Sequence, residues 1–182
     1  MIQRLFYPLL FLLPLSLFAQ QKDAFPASWA GHWAGDLEII TPQGVMQQLP
    51  MEMKIAPSDT AEAWNWRSTF NPGGDKEVVK DYLLRAIDPE AGRYVVDELN
   101  TIAIEAYLFE GRRLFSWFEV QGSLILALYE LRPDGSLLFE IVAGGMEPVS
   151  ITGDSVFRGD SIPPVQTFPV RTIQRAILQK KP

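Results

Sequence analysis

The chain has no cysteine and one histidine in 182 residues. Without thiols there is no disulfide framework, no lipid attachment through cysteine, no thiolate nucleophile and no zinc site built on sulfur. The single imidazole, His32, would have to serve any Ser-His-Asp triad, and no Gly-x-Ser-x-Gly elbow accompanies it. Neither histidine nor carboxylate spacing suggests a metal centre or a bound cofactor. Helical periodicity is missing as well, since no stretch beyond the N-terminus sustains an apolar repeat of roughly 3.6 residues. Positive charge is scarce. Lys and Arg number 16 against 22 acids, and setting aside residues 1–19, which hold Arg4 and no acid, leaves 15 against 22, a net charge of −7. An acidic chain without clustered basic surface is not built for nucleic acid.

One long apolar run is present, Leu5 to Phe18, broken by Pro8, Pro14 and Ser16, preceded by Arg4 and followed by Ala19-Gln20-Gln21-Lys22. This is the pattern of a secretory signal, with cleavage expected after Ala19. The alternative is an uncleaved anchor, for which the run is short against the roughly 20 apolar residues of a membrane span. The expected organisation is a signal peptide over 1–19, a leader over 20–28 with one helical turn at Pro26-Ala27-Ser28-Trp29, and a single domain over 29–182. The mature protein is expected to be exported, periplasmic or secreted, with no membrane span. Without disulfides its core alone must hold it.

From Trp33 onward, strand-length segments alternate with turn residues. They run approximately from Trp33 to Ile40, Val45 to Ile55, Ala61 to Phe70, Val78 to Ile87, Arg93 to Glu98, Ile102 to Phe109, Arg112 to Val120, Leu124 to Leu131, Leu137 to Ala143, Val149 to Phe157 and Val165 to Leu178. Connectors such as Thr41-Pro42-Gln43-Gly44, Asn71-Pro72-Gly73-Gly74-Asp75, Gln121-Gly122-Ser123 and Arg132-Pro133-Asp134-Gly135 place Pro and Gly where tight turns need them. Strands joined by short turns pair with their neighbours in an antiparallel meander, and a long meander removes its edges by closing. The expected fold is all-β, a single up-and-down barrel of about ten strands, with a β-sandwich as the alternative.

Alternation assigns the interior. Leu49, Met51, Met53 and Ile55 share one face of their segment, and Trp64, Trp66 and Phe70 share one face of the next, opposite Asn65, Arg67 and Thr69. The middle of the chain carries bulky apolar groups on both faces: Tyr107 and Phe109 against Ile102, Ile104 and Leu108, then Phe115 and Trp117 against Leu114 and Phe118. A strand buried on one side does not need this, so either a second contact surface outside the barrel, such as a homodimer interface, or loops folded back over it are expected there.

Gly31-His32-Trp33, followed by Ala34-Gly35 and standing at the head of the meander, resembles the Gly-x-Trp signature of the calycins, the lipocalins and their relatives. The resemblance implies a small barrel that holds an apolar or amphipathic molecule. It also implies that Gly31 and Trp33 close the barrel floor and that a basic residue of the last strand lies across the Trp ring, mapped to Arg175 with Arg171 second. The chain departs from the group in lacking a helix after the barrel, disulfides, and a helical lid between the first two strands. Haem ligation in the style of related barrels needs a late proximal His that is absent here.

Candidate ligand contacts are Met51, Met53, Trp64, Trp66, Tyr82 and Trp117 for burial, with Arg67 and Arg85 as inward or rim cations for an acidic head group. His32 is expected to face outward beside Asp36 and Glu38. Asp97, Glu98, Glu105, Glu119, Glu130 and Glu140 are expected on a charged outer surface. Arg158-Gly159-Asp160 matches an adhesion tripeptide but reads better as turn chemistry. The leading function is binding of a small apolar or amphipathic molecule. The alternatives are a solid-cored structural or protein-interaction module and, on the strength of acids such as Asp36, Glu38, Asp81 and Glu105 facing inward, an enzyme. No catalytic residue is assigned.

Overall fold

A computed structural model describes residues 24–182; the expected signal segment and leader residues 20–23 lie outside the described residues. The strands are β1 (Gly31–Thr41), β2 (Gly44–Pro57), β3 (Ala63–Phe70), β4 (Val78–Asp88), β5 (Arg93–Asp97), β6 (Ala103–Phe109), β7 (Arg113–Val120), β8 (Ser123–Leu131), β9 (Leu137–Gly145), β10 (Ser150–Thr152), β11 (Ser155–Phe157), β12 (Asp160–Ile162), β13 (Val165–Thr167) and β14 (Val170–Lys180). A 3-10 turn at Ala27–Trp29 precedes them. Ten strands form a closed barrel in the order β1-β14-β9-β8-β7-β6-β5-β4-β3-β2. Each is antiparallel to its neighbours, and β1 closes the ring by pairing with both β2 and β14. That closure excludes the sandwich.

The turns do what their residues allow. Thr41 pairs with Gly44 across a two-residue connection, and Gly44 takes a φ of 121° that a side chain would resist. Asp134 accepts hydrogen bonds from the Ser136 backbone N–H at 3.0 Å and the Ser136 hydroxyl at 2.6 Å, which fixes the β8–β9 turn. The connections alternate between the two ends of the barrel. The β2–β3, β4–β5, β6–β7 and β8–β9 turns gather at one end with the 3-10 turn and the C-terminus. We call this end the floor, and the opposite end the mouth.

One connection is not a short turn. Between β9 and β14 the chain leaves the barrel as a nested antiparallel ribbon in which β10 pairs with β13 and β11 with β12. Residues 149–168 are all exposed. The sequence reading had Val149 to Phe157 as an ordinary strand of the meander and Val165 to Leu178 as one strand. Instead the first lies in the arm, and the second breaks at Phe168-Pro169 into β13 of the arm and β14 of the barrel. Proline removes a ladder donor, which accounts for the break.

The interior follows the alternation. Trp33 and Leu37 of β1, Met51, Met53 and Ile55 of β2, Trp66 of β3, Leu84 of β4, Tyr94 of β5, Leu114 of β7, Leu137 and Phe139 of β9, and Ala176 and Leu178 of β14 form one buried cluster. On the outside, β7, β8, β9, β14 and β1 align Trp117, Leu126, Val142, Ile173 and Ile40 in register. Trp117 is 65% exposed, and the other four are half-buried.

Candidate functional site

The floor is filled. Trp29, carried by the 3-10 turn, enters the barrel and is fully buried, and its carbonyl accepts a hydrogen bond from Trp33 Nε1 at 3.0 Å. Phe25 packs edge-on against Trp29 with ring centroids 4.8 Å apart and against Tyr94 at 4.9 Å, and Trp29 lies 6.0 Å from Trp66. The packed unit thus takes in Phe25, which the sequence reading left in the leader. The indole N–H groups of Trp29 and Trp66 are buried and meet no acceptor among the described residues. Such orphan donors cost about 1–3 kcal/mol each, which the surrounding apolar burial must offset.

The Gly-x-Trp signature has a local cause. Trp33 pairs in register with Lys180, whose Nζ sits 5.4 Å from the Trp33 ring centroid. The Lys180 stem passes over Gly31, where a Cβ would stand 2.4 Å from Lys180 Cε. Gly31 also has a φ of 149°, which a side chain would resist, whereas the flexible lysine stem could shift aside. The cation on the closing Trp is therefore Lys180, correcting the assignment to Arg175. Arg175 pairs in register with Glu38 on one side and Glu140 on the other, and its guanidinium binds Glu140 on the outer surface. Strand parity decides this: Ala176 and Leu178 point inward, so Lys180 does and Arg175 does not. Arg171 lies outside near Gly145.

The mouth is not filled. Above Trp66 a cavity of about 610 Å³ is walled by Leu37, Ile39, Leu49, Phe70, Val78, Ile125, Phe139 and Ile141, with Tyr82 and Tyr129 deeper in. Ligand sites usually fall between about 300 and 1,000 Å³. Polar lining residues are few: Ser68, Gln47, Gln174, Lys76 and Lys80, the two lysines exposed at the rim. Neither lysine belongs to any ion pair among the described residues. A second, larger depression of about 910 Å³ lies under the floor. It is bounded by turns, and two of its cations are engaged: Arg112 bonds Glu110 at 3.1 Å and Arg132 lies 3.8 Å from Asp134. Its lining is more polar in proportion than that of the mouth.

The tyrosines stay neutral. Burial pushes the Tyr129 phenol up to about 12, and burial followed by the charge and hydrogen bond of Glu98 raises Tyr82 further. Glu98 accepts a hydrogen bond from Asn100 Nδ2 at 3.3 Å.

The residues expected to touch ligand divide into three groups. Tyr82 lines the cavity. Met51, Met53 and Trp66 are fully buried in the core below it, and Trp64 packs against that core. Arg67, Arg85 and Trp117 are on the outer face, which corrects the expectation that the two arginines point inward or to the rim. Arg67 donates to Asp81, with its Nη2 3.0 Å from Oδ2, and Arg85 Nε lies 2.9 Å from Asp97 Oδ2. The Leu99 backbone N–H and then Arg85 hold the Asp97 carboxyl below its usual range. Parity again decides, because Trp66 and Tyr82 point inward and Arg67 and Arg85 sit an odd number of residues away.

The outer acids are structural. His32 Nε2 lies 2.9 Å from Glu52 Oε2, and Lys181 Nζ 3.2 Å from Glu52 Oε1, tying β1, β2 and the C-terminus together. That contact lowers the Glu52 carboxyl, chiefly through His32. Asp36 is exposed, Glu38 faces Arg175 across strands, Asp81 binds Arg67, and Glu105 lies 3.6 Å from Arg93. None of these four reaches the cavity. Among the described residues no group of three or more His, Cys, Asp or Glu is placed to hold a metal.

What the sequence reading missed is the mouth wall: Leu37, Ile39, Lys76, Lys80, Ile125, Phe139 and Ile141. Extending the inward parity of Trp33 and Tyr82 along β1 and β4 reaches Leu37, Ile39 and Lys80. The turn lysine Lys76 carries no such signal.

Set beside known proteins, the chain matches no family model and no curated protein. Its fold defines the class: a closed, ten-stranded, antiparallel up-and-down barrel of lipocalin-like architecture.

Proposed function

We propose that this chain belongs to the calycin group and is an exported carrier that binds a small amphipathic molecule, apolar tail inward, in the cavity at the barrel mouth. The observation that supports it is the pairing of an apolar cavity of about 610 Å³ with two lysines, Lys76 and Lys80, that no acid engages among the described residues. Burying a hydrocarbon chain against such walls is favourable by about 0.8 kcal/mol per CH₂. An acidic head group gains charge-assisted hydrogen bonds from the lysines, and Ser68, Gln47 and Gln174 add weaker polar contacts. Export rests on the N-terminal apolar run and the resemblance on Gly31-His32-Trp33.

The test is native mass spectrometry of protein purified from its own host, followed by organic extraction. An anionic amphiphile released in about one equivalent, and a Lys80→Ala variant that retains less of it, is the expected result. Protein that carries nothing and takes up no added fatty acid would remove the reading.

A further inference from the structure

The mouth cavity is apolar on one side and carries unused donors on the other. Where β9, β14, β1 and β2 line it, Phe139, Ala176, Leu37 and Leu49 stand in cross-strand register, and their side chains offer no polar atom. The foot of the cavity, where β3, β4 and β8 approach, is different. Trp66 pairs in register with Tyr82, and its ring meets that of Tyr129 edge-on with centroids 5.3 Å apart. Ser68 lies one inward step nearer the mouth on β3.

Three donors there go unused. The Trp66 indole N–H is buried and meets no acceptor among the described residues. Ser68, only 4% exposed, lines the cavity together with Tyr129. Neither hydroxyl donates to any group among the described residues. Alanine and phenylalanine would fill the same space without this cost, since a buried donor left unpaired forfeits its bonds to water. Local rules are broken in this way at functional sites.

Charge and depth choose what these donors hold. The negative charge of Glu98 adds to burial in raising Tyr82 and Tyr129, so both phenols keep their protons and the foot of the cavity repels an anion. Lys80 shares the inward face of Tyr82 but stands two residues nearer the mouth, about 7 Å along the strand. One molecule can therefore set an acidic group at the lysines and a second, neutral oxygen at the foot. Such an oxygen has the lone pairs that hydroxyl and indole donors need.

We infer that the guest is an amphiphile whose apolar portion carries an uncharged oxygen, a hydroxyl or keto group, which accepts hydrogen bonds from Tyr129 with Ser68 and the Trp66 indole beside it. The inference rests on the proposed binding of an amphiphile at the mouth and names its chemical class.

Displacement of a fluorescent fatty acid by stearic acid and by its mid-chain hydroxy and oxo derivatives tests it. The oxygenated probes should bind about fivefold or more tighter than stearic acid. Tyr129→Phe, which keeps the ring and its packing, should bring all three probes to the same affinity, and Ser68→Ala should narrow the gap between them. Lys80→Ala should weaken all three alike, because it removes a contact to the shared head group. Equal affinity of plain and oxygenated probes, or a preference that survives both Tyr129→Phe and Ser68→Ala, overturns the inference while the binding of an amphiphile stands. If none of the three binds, both fall together.

Discussion

The two ends of this barrel are built from the same strands and carry opposite solutions to the same geometry. A barrel of ten strands is wider than one whose interior ordinary side chains fill, since diameter grows with strand number. At the floor the extra width is taken up by indoles: Trp29 brought in from outside the sheet, with Trp33 and Trp66 from β1 and β3, all buried. At the mouth Phe70 and Phe139 meet with ring centroids 6.4 Å apart, but the other inward positions, Ile39, Leu49, Val78, Ile125 and Ile141, are smaller, and a cavity remains. The difference teaches that the floor supplies packing while the mouth leaves an unfilled apolar space, the one the proposed ligand would occupy.

That contrast is broken most directly by emptying the floor. Trp29→Ala should lower unfolding stability by about 3–5 kcal/mol, measured by urea denaturation, whereas Ile39→Ala at the half-buried mouth should cost less than about 2 kcal/mol. Equal losses would mean the two ends are packed alike. Filling the mouth should do the reverse. Ile141→Trp should leave stability within about 1 kcal/mol while weakening binding of a fatty-acid probe tenfold or more, as read by fluorescence displacement.

How far the sequence anticipates this contrast depends on parity. The barrel, its closure and the inward Met and Trp faces follow from alternation and from turn residues, and Gly31-His32-Trp33 marks the floor because Gly31 holds a positive φ and Trp33 packs there under Lys180. Arg67, Arg85 and Arg175 went to the wrong side because residue type was weighed above position: each lies an odd step from an inward neighbour and pairs with an acid outside. The cavity itself is invisible in one dimension. It depends on which inward residues face each other across the barrel, and Phe70 and Phe139, 6.4 Å apart on β3 and β9, are distant in sequence. The arm was hidden for a different reason. Its segments have strand composition, and only tertiary placement shows that they pair with one another outside the barrel.

A smaller effect sharpens the floor. Lys180→Ala should lower stability by about 0.5–1 kcal/mol and shift the NMR signal of the Trp33 indole N–H, because the ammonium lies over that ring. Arg175→Ala should leave that signal in place, since its guanidinium binds Glu140 on the surface.

The smallest effects are in pH. Glu52 has a folded pKa below its ordinary 4.5, so its contribution is present above that value and is lost as pH falls through the lowered one. Glu52→Gln should flatten the stability profile at the acid end by a few tenths of a kcal/mol, about the worth of an exposed pair. At the alkaline end the sign is opposite. Tyr129, raised from 10.0 to about 12, binds its proton more tightly when folded, so stability declines as pH rises above 10.0. Absorbance titration should show its ionisation delayed to that range.

The account turns on the mouth accepting an amphiphile and the floor refusing it. Binding a spin-labelled fatty acid to isotope-labelled protein and recording paramagnetic broadening by NMR tests both halves at once. Broadening should concentrate on Ile39, Phe70, Tyr82, Ile125 and Ile141, with Trp29, Trp33 and Tyr94 unaffected; broadening centred on the floor, or none at all, would contradict it.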